Sequence, residues 1–201
     1  MRKILLTLAL GILAAAGAWA AQAQPAGKAL AAGVCSACHG PEGRSVSPVF
    51  PRLAGQQSAY IMLQLDAFKG HLRGDPNAQA YMWGMSAQLG EDTIKELADY
   101  YAAQKPVPGQ PGDAALVGSG QKIFMDGIPA QGVPACASCH GANAEGAAAF
   151  PRLGGQHVDY LVAQLQGFQS GVRSNAPIML AIVRTLTPEQ IKAVAVYAAS
   201  R

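Results

Sequence analysis

The sequence predicts an all-α protein of two tandem, similar halves, on three observations. The chain repeats itself: Cys35-Ser36-Ala37-Cys38-His39 returns as Cys136-Ala137-Ser138-Cys139-His140, and Phe50-Pro51-Arg52-Leu53-Ala54-Gly55-Gln56 returns as Phe150-Pro151-Arg152-Leu153-Gly154-Gly155-Gln156. Apolar residues recur at helical spacing, and no alternating run is long enough to argue for a sheet. The two C-x-x-C-H runs use all four cysteines, and that pattern marks covalent attachment of a c-type haem. Each half is then a few helices wrapped around one covalently attached haem. Two cysteines three apart reach the two vinyl groups on one porphyrin edge, and the histidine that follows sits under the iron.

Other chemistries of the same residues fit less well. A redox dithiol needs neither the histidine nor a second copy. A structural zinc site closes from nearby segments, whereas these pairs lie about a hundred residues apart. Two plain disulfides would suit a small secreted scaffold, but so short a loop makes a poor staple.

Residues 1–23 read as a secretory signal peptide: Arg2 and Lys3 form a positive start, Ile4 to Leu13 an apolar core, and Ala18-Trp19-Ala20 and Ala21-Gln22-Ala23 are small-x-small cleavage sites. The apolar core is short for a membrane span. Export to the periplasm suits the cofactor, because bacteria attach this haem outside the cytoplasm. With Arg2 and Lys3 removed, 13 basic side chains face 12 acidic ones. The haem propionates tilt that balance toward acid, and no basic run suggests nucleic acid.

The first half spans 24–105, the second 113–201, and between them 106–112 has a proline-stiffened linker composition. Each half reads as three or four helices. A first segment, Gly27–Val34 and again Asp113–Phe124, leads into the haem-binding turn. The second, Ser58–Lys69 and Val158–Gln169, carries Tyr60, Leu65 and Phe68 and then Tyr160, Leu165 and Phe168 on one face. The last begins near Glu91 and near Pro188. There Thr187 is a good N-cap, Pro188 suits the first helical position, Gln190 completes a capping box, and Leu186 with Ile191 forms a hydrophobic staple. Halves this small bury only a modest core by themselves, so the cofactor is expected to organise the glycine-rich loops.

On the C-x-x-C-H-G pairs, the Phe-Pro-Arg-Leu-x-Gly-Gln blocks, the Tyr-x-x-x-Gln-Leu-x-x-Phe helices and Gly-Val-Pro-Ala-Cys at 132–136, each half resembles a class I cytochrome c. From about residue 27 to the end the chain is similar to the dihaem cytochrome c4 family. The resemblance implies two domains facing each other through a pseudo-twofold interface with the haem propionates near it. It implies an electron carrier and not an enzyme, working between redox protein partners: an upstream donor such as a quinol-oxidising complex and a membrane terminal oxidase downstream, with peripheral membrane association possible. A second reading makes the chain the haem subunit of a periplasmic dehydrogenase, such as flavocytochrome sulfide dehydrogenase or a quinoprotein alcohol dehydrogenase. A dihaem peroxidase needs an iron with a displaceable ligand, and the near-equal halves argue against it.

The expected haem-binding residues are Cys35, Cys38, Cys136 and Cys139, with His39 and His140 as proximal iron ligands. In class I cytochromes c a proline carbonyl after the haem turn orients the imidazole, which makes Pro51 and Pro151 candidates. A methionine sixth ligand raises the potential. Met62, Met82 and Met85, and Met125 and Met179, are available. A position after the middle helix, on the loop before the last, leaves Met82, Met85 and Met179. The repeat selects Met82 and Met179, each seven residues before its staple leucine, Leu89 or Leu186, whereas Met85 aligns with Ile182. Arg52, Arg152, Arg73, Arg173, Tyr60 and Tyr160 are shared and are candidates to meet propionates. His71 and His157 are unshared and are expected at the surface.

Overall fold

The computed structural model describes residues 27–201. The signal peptide expected over 1–23 lies outside them. Among the described residues there are helices and only three isolated β-bridges, and no helix is long and apolar enough to cross a membrane.

In the first half the chain runs α1 (Gly27–Leu30), a π-helical turn over Ala31–Cys35, α2 (Ser36–His39), α3 (Ser58–Lys69), a second π turn over Ala78–Met82, α4 (Trp83–Ser86) and α5 (Glu91–Ala102). The second half runs α6 (Ala114–Asp126), α7 (Ala137–His140), α8 (Val158–Gln169), α9 (Pro177–Val183) and α10 (Pro188–Ala199). The middle helices fall where the spacing placed them. Ile61, Leu65 and Phe68 are buried along α3, and Leu161, Gln164 and Phe168 along α8.

Helix ends follow local chemistry. Asp113 caps α6, its Oδ1 accepting from the backbone N–H groups of Ala115 and Leu116 at 3.1 and 3.0 Å. The capping box at Thr187 and Gln190 is complete, and the staple residues Leu186 and Ile191 share one buried cluster. The matching helix α5 starts at Gly90 with no side-chain cap, so its position rests on packing through Ile94, Leu97, Ala98 and Tyr101.

Two expectations change. The C-x-x-C-H run is itself a helical turn, α2 and α7, and in the first half it continues α1 with no break at Val34. The second half interrupts the same path with Gly127–Val133, closed by the Ile128–Val133 bridge. The methionine-bearing stretches are also helical and not loops. In the first half the Ser86 hydroxyl donates to the Met82 carbonyl at 2.7 Å, tying that short helix to the turn before it.

In each half the first and last helices cross at a glycine. A Cβ at Gly27 would strike Glu96 and the Leu97 backbone; one at Gly120 would strike the Ala193 carbonyl and Tyr197. Buried clusters line both halves: Ile61, Leu65, Phe68, Ile94 and Leu97 in the first, and Phe124, Leu161, Val194 and Tyr197 in the second.

The halves meet through a reciprocal clasp. Gln156 Nε2 donates to the Arg52 carbonyl (2.9 Å) and its Oε1 accepts from the Arg52 N–H (2.9 Å). Gln56 does the same to Arg152, at 2.9 and 2.7 Å. The connecting segment packs into this seam, with Pro106 against Gly55 and Val107 against Gly155, and Arg44 donates to the Lys105 carbonyl at 2.8 Å. It is a strap, whereas its composition suggested a spacer.

Replacing Gly120 with Ala should force α6 from α10 and destabilise the second half by about 1–3 kcal/mol, the usual cost of overpacking. Denaturant unfolding of the haem-loaded protein measures this. An unchanged midpoint would show that the crossing yields freely.

Candidate haem sites at the seam

The histidine of each C-x-x-C-H run ends a helical turn, and the glycine after it turns the chain away. Gly40 and Gly141 have φ of 74° and 79°, a region open to glycine but strained for other residues. The chain then returns along the Phe-Pro-Arg-Leu block, which brings a proline carbonyl to the imidazole. His39 Nδ1–H donates to the Pro51 carbonyl at 2.9 Å, and His140 Nδ1–H to that of Pro151 at 3.0 Å. A carbonyl only accepts, so the proton sits on Nδ1 and the lone pair of Nε2 is free for a metal. Phe50 and Phe150 meet the two imidazoles edge-on, centroids 6.1 and 6.3 Å away. Burial lowers the pKa of both histidines, against the opposing pull of the proline carbonyls. Both rings are therefore neutral near pH 7, the form that ligates.

No two of the four cysteines form a disulfide. Burial pushes Cys35 up and Cys136 up to about 11. A redox dithiol needs a depressed thiol pKa, so that chemistry does not fit. Nor does zinc: among the described residues no three His, Cys, Asp or Glu side chains converge as a metal site.

These groups open onto one apolar cavity of about 620 Å³ that both halves bound. Cys35, His39 and Met82 line it from one side, and Cys136, Cys139, His140 and Met179 from the other. Cys38 lies outside that lining and is exposed. Met82 and Met179 are half-buried against the clusters of their halves. Met85 also borders the cavity but is 47% exposed. Tyr101 lines it too, and its buried hydroxyl has no hydrogen-bond partner among the described residues. Apolar walls, paired thiols and a histidine with a free Nε2 fit a haem c in each half.

The shared arginines are structural as well as cationic. Arg73 and Arg173 are 3% and 4% exposed and pair through an antiparallel bridge at the seam. Each lies over a phenylalanine of its own half, Phe68 or Phe168. Arg73 forks onto Asp75 at 3.1 and 3.2 Å and crosses to Gln164 at 2.7 Å. Arg173 donates to Gln64 and Tyr60, both at 2.9 Å, and to Gln164 at 2.7 Å. Burial opposes the charge on Arg73, yet the phenols of Tyr160 and Tyr60 and the Asp75 carboxylate hold its pKa above the ordinary arginine value. Arg52 Nη1 donates across the seam to the Gly155 carbonyl. Sequence reasoning left Gln56, Gln156, Gln64, Gln164 and Asp75 without roles. Their presence in the repeated blocks, Asp75 excepted, was the available signal.

His71 is exposed, as expected, and stacks on Trp83 at 3.9 Å. His157 is not a free surface residue: its Nε2–H donates across the seam to the Ser45 carbonyl at 3.0 Å. Burial, with the Arg52 charge beside it, pushes the His157 imidazole below its ordinary value. The unfolded chain then takes up this proton first. The stability it contributes is whole above about pH 6.5 and is lost as pH falls through its lower folded value. Partial exposure keeps the effect small. His157→Gln, the residue found at position 57, should flatten the stability–pH curve below about pH 6.5, measured by denaturant unfolding at falling pH. An unchanged slope would show that His157 does not set it.

The family model that matches is cytochrome c, over residues 25–103 and again 117–200. A cytochrome c4 of Azotobacter vinelandii is 39% identical, covering 98% of each chain. A thiosulfate dehydrogenase electron acceptor of Thiomonas intermedia is 35% identical, over all of this chain and 92% of its own. The solved cytochrome c4 of Acidithiobacillus ferrooxidans superposes with a TM-score of 0.78 at 41% identity, over 83% of this chain and 98% of its own.

Proposed function

We propose, because the chain belongs to the cytochrome c family as a dihaem cytochrome c4 with two covalently bound haems c, that it carries electrons one at a time through the periplasm from a respiratory-chain donor, such as a quinol-oxidising complex, to a membrane terminal oxidase. The observation that carries this reading is the pairing, in each half, of an oriented histidine with a half-buried methionine on the same cavity. Haem supplies one-electron exchange, with a potential set by ligands, burial and hydrogen bonds.

The chain's own residues do the rest. Cys35 and Cys38 would tether one haem and Cys136 and Cys139 the other. His39 and His140 would bind iron through Nε2, steadied by the carbonyls of Pro51 and Pro151. Met82 and Met179 would supply the second protein ligand of each iron, which would leave no iron site for a substrate. The apolar walls would keep water from each haem and favour its reduced form. Residues 1–23 direct export, and the halves divide at 106–112.

The second reading, electron acceptor of a dehydrogenase, is favoured by the thiosulfate dehydrogenase electron acceptor among the relatives. It keeps the same site chemistry and changes only the donor. Reduced protein should be reoxidised rapidly by membranes holding a terminal oxidase and slowly by peroxide alone. Fast peroxide turnover would reject the carrier reading, and no reoxidation by such membranes would reject the oxidase as acceptor.

Met82→Leu should remove the weak Met-to-iron band of the oxidised spectrum at one haem and lower that haem's potential. Met85→Leu should leave both largely intact. The reverse pattern would assign Met85 as the ligand.

A further inference from the structure

The methionine expected to hold the first-half iron sits on a segment that cannot hold itself. Met82 ends the π-helical turn Ala78–Met82, and α4 after it has only four residues. Helical pieces this short are not stable on their own. Contacts from outside must therefore keep the Met82 side chain at the cavity. The Ser86 hydroxyl ties the Met82 carbonyl only within the segment. Gln79 and Trp83 reach from it to the loop at the seam. Gln79 Nε2 donates to the Gly74 carbonyl at 2.6 Å but is exposed, where water competes for the same groups. Trp83, the residue after Met82, is half-buried in the same cluster and donates from Nε1 to the Arg73 carbonyl at 2.8 Å. That carbonyl is well anchored. Arg73 is 3% exposed, and the loop around it is bonded to the second half: the Gly74 N–H donates to the Val172 carbonyl at 2.7 Å and the Ser174 N–H to the Leu72 carbonyl at 3.2 Å.

His71 covers Trp83. Its imidazole and the indole lie 3.9 Å apart and 13° from parallel. His71 makes this stack at a φ of 56°, in the left-handed region that strains a residue with a Cβ, whereas its counterpart Gly171 sits there freely at 78°. A strained residue kept where the repeat uses glycine marks a local role. In the second half Leu180 stands in the place of Trp83. There Gln169 holds the turn from its far end, donating to the Val183 and Leu186 carbonyls at 3.0 and 2.7 Å. Lys69, the counterpart of Gln169, donates to the Leu89 carbonyl alone among the described residues, at 2.6 Å.

We infer that Trp83, held between the Arg73 carbonyl and the His71 ring, is the positioning residue that keeps Met82 on the first-half iron. The ligand of one half is thereby anchored, through Arg73, on the junction with the other. The inference rests on the reading of Met82 as that ligand.

The test is imidazole titration of the oxidised, haem-loaded protein. Imidazole competes with the methionine sulfur for ferric iron, so its affinity reads how firmly the sulfur is held. The Met-to-iron band counts the sites that keep their sulfur, and ring-methyl resonances assign each loss to its haem. Trp83→Leu, the residue of the second half, should raise imidazole affinity at the first-half haem by about fivefold, the usual worth of one hydrogen bond, and leave the second-half haem unchanged. His71→Gly should raise it in the same sense even though it relieves the backbone. A histidine that only filled surface space would leave the affinity where it was. Unchanged affinity in either variant, or an equal rise at both haems, overturns the inference. If Trp83→Leu does not load with haem, His71→Gly decides alone. A wild type without the Met-to-iron band, or a Met82→Leu variant that keeps it at both haems, would instead overturn the assignment of Met82 itself.

Discussion

Each half of this protein builds only a modest core of its own, and the rest of the structure is arranged around that constraint. A chain of under a hundred residues buries a smaller share of its surface than a large domain does. The buried clusters are accordingly thin shells, and they face a cavity of about 620 Å³ in place of a filled centre. A covalent haem in each half turns those shells into cores. The short helices, the π-helical turns at Ala31–Cys35 and Ala78–Met82, and the glycine after each histidine make sense as lining for a rigid planar group.

Setting two cofactor-binding halves face to face places a polar problem at the seam. The return of the chain from each histidine leaves the backbone of Arg52 and Arg152 facing the other half. Gln56 and Gln156 meet it with both ends of their amides, so every donor finds an acceptor and each half completes the other. Buried polar groups left unpaired would cost about 1–3 kcal/mol each. The clasp therefore fixes orientation as much as it adds stability. Phe68 and Phe168 beneath the guanidiniums, with the strap of 106–112 against Gly55 and Gly155, close the seam from both sides.

The repeat is a template from which the halves have diverged where the haem chemistry tolerates it. The second half inserts Gly127–Val133 ahead of its cysteines and caps its last helix with side chains, while the first runs straight into its haem turn and starts its last helix at a bare glycine. The histidine–proline contacts, the half-buried methionines and the glycine crossings are alike in both. What both halves retain is the geometry around the two histidines, and what differs is the surrounding charge, capping and loop length.

The sequence by itself determined the parts that depend on spacing along one chain. Three-residue cysteine spacing followed by histidine specifies a covalent haem, a helical period specifies α3 and α8, the capping pattern specifies where α10 begins, and counting back from Leu89 and Leu186 proposes Met82 and Met179 as ligands. Resemblance to the family added the proline carbonyls and the paired arrangement of the halves. Tertiary structure alone decided what depends on the second half facing the first: that Gln56 and Gln156 read the other half's backbone, that His157 lies at the seam, that the linker is a strap, and that Asp75 is buried against Arg73. Those contacts join residues about 90 to 110 positions apart or set burial around neighbours. No local period encodes them, because they arise only when two folded surfaces meet.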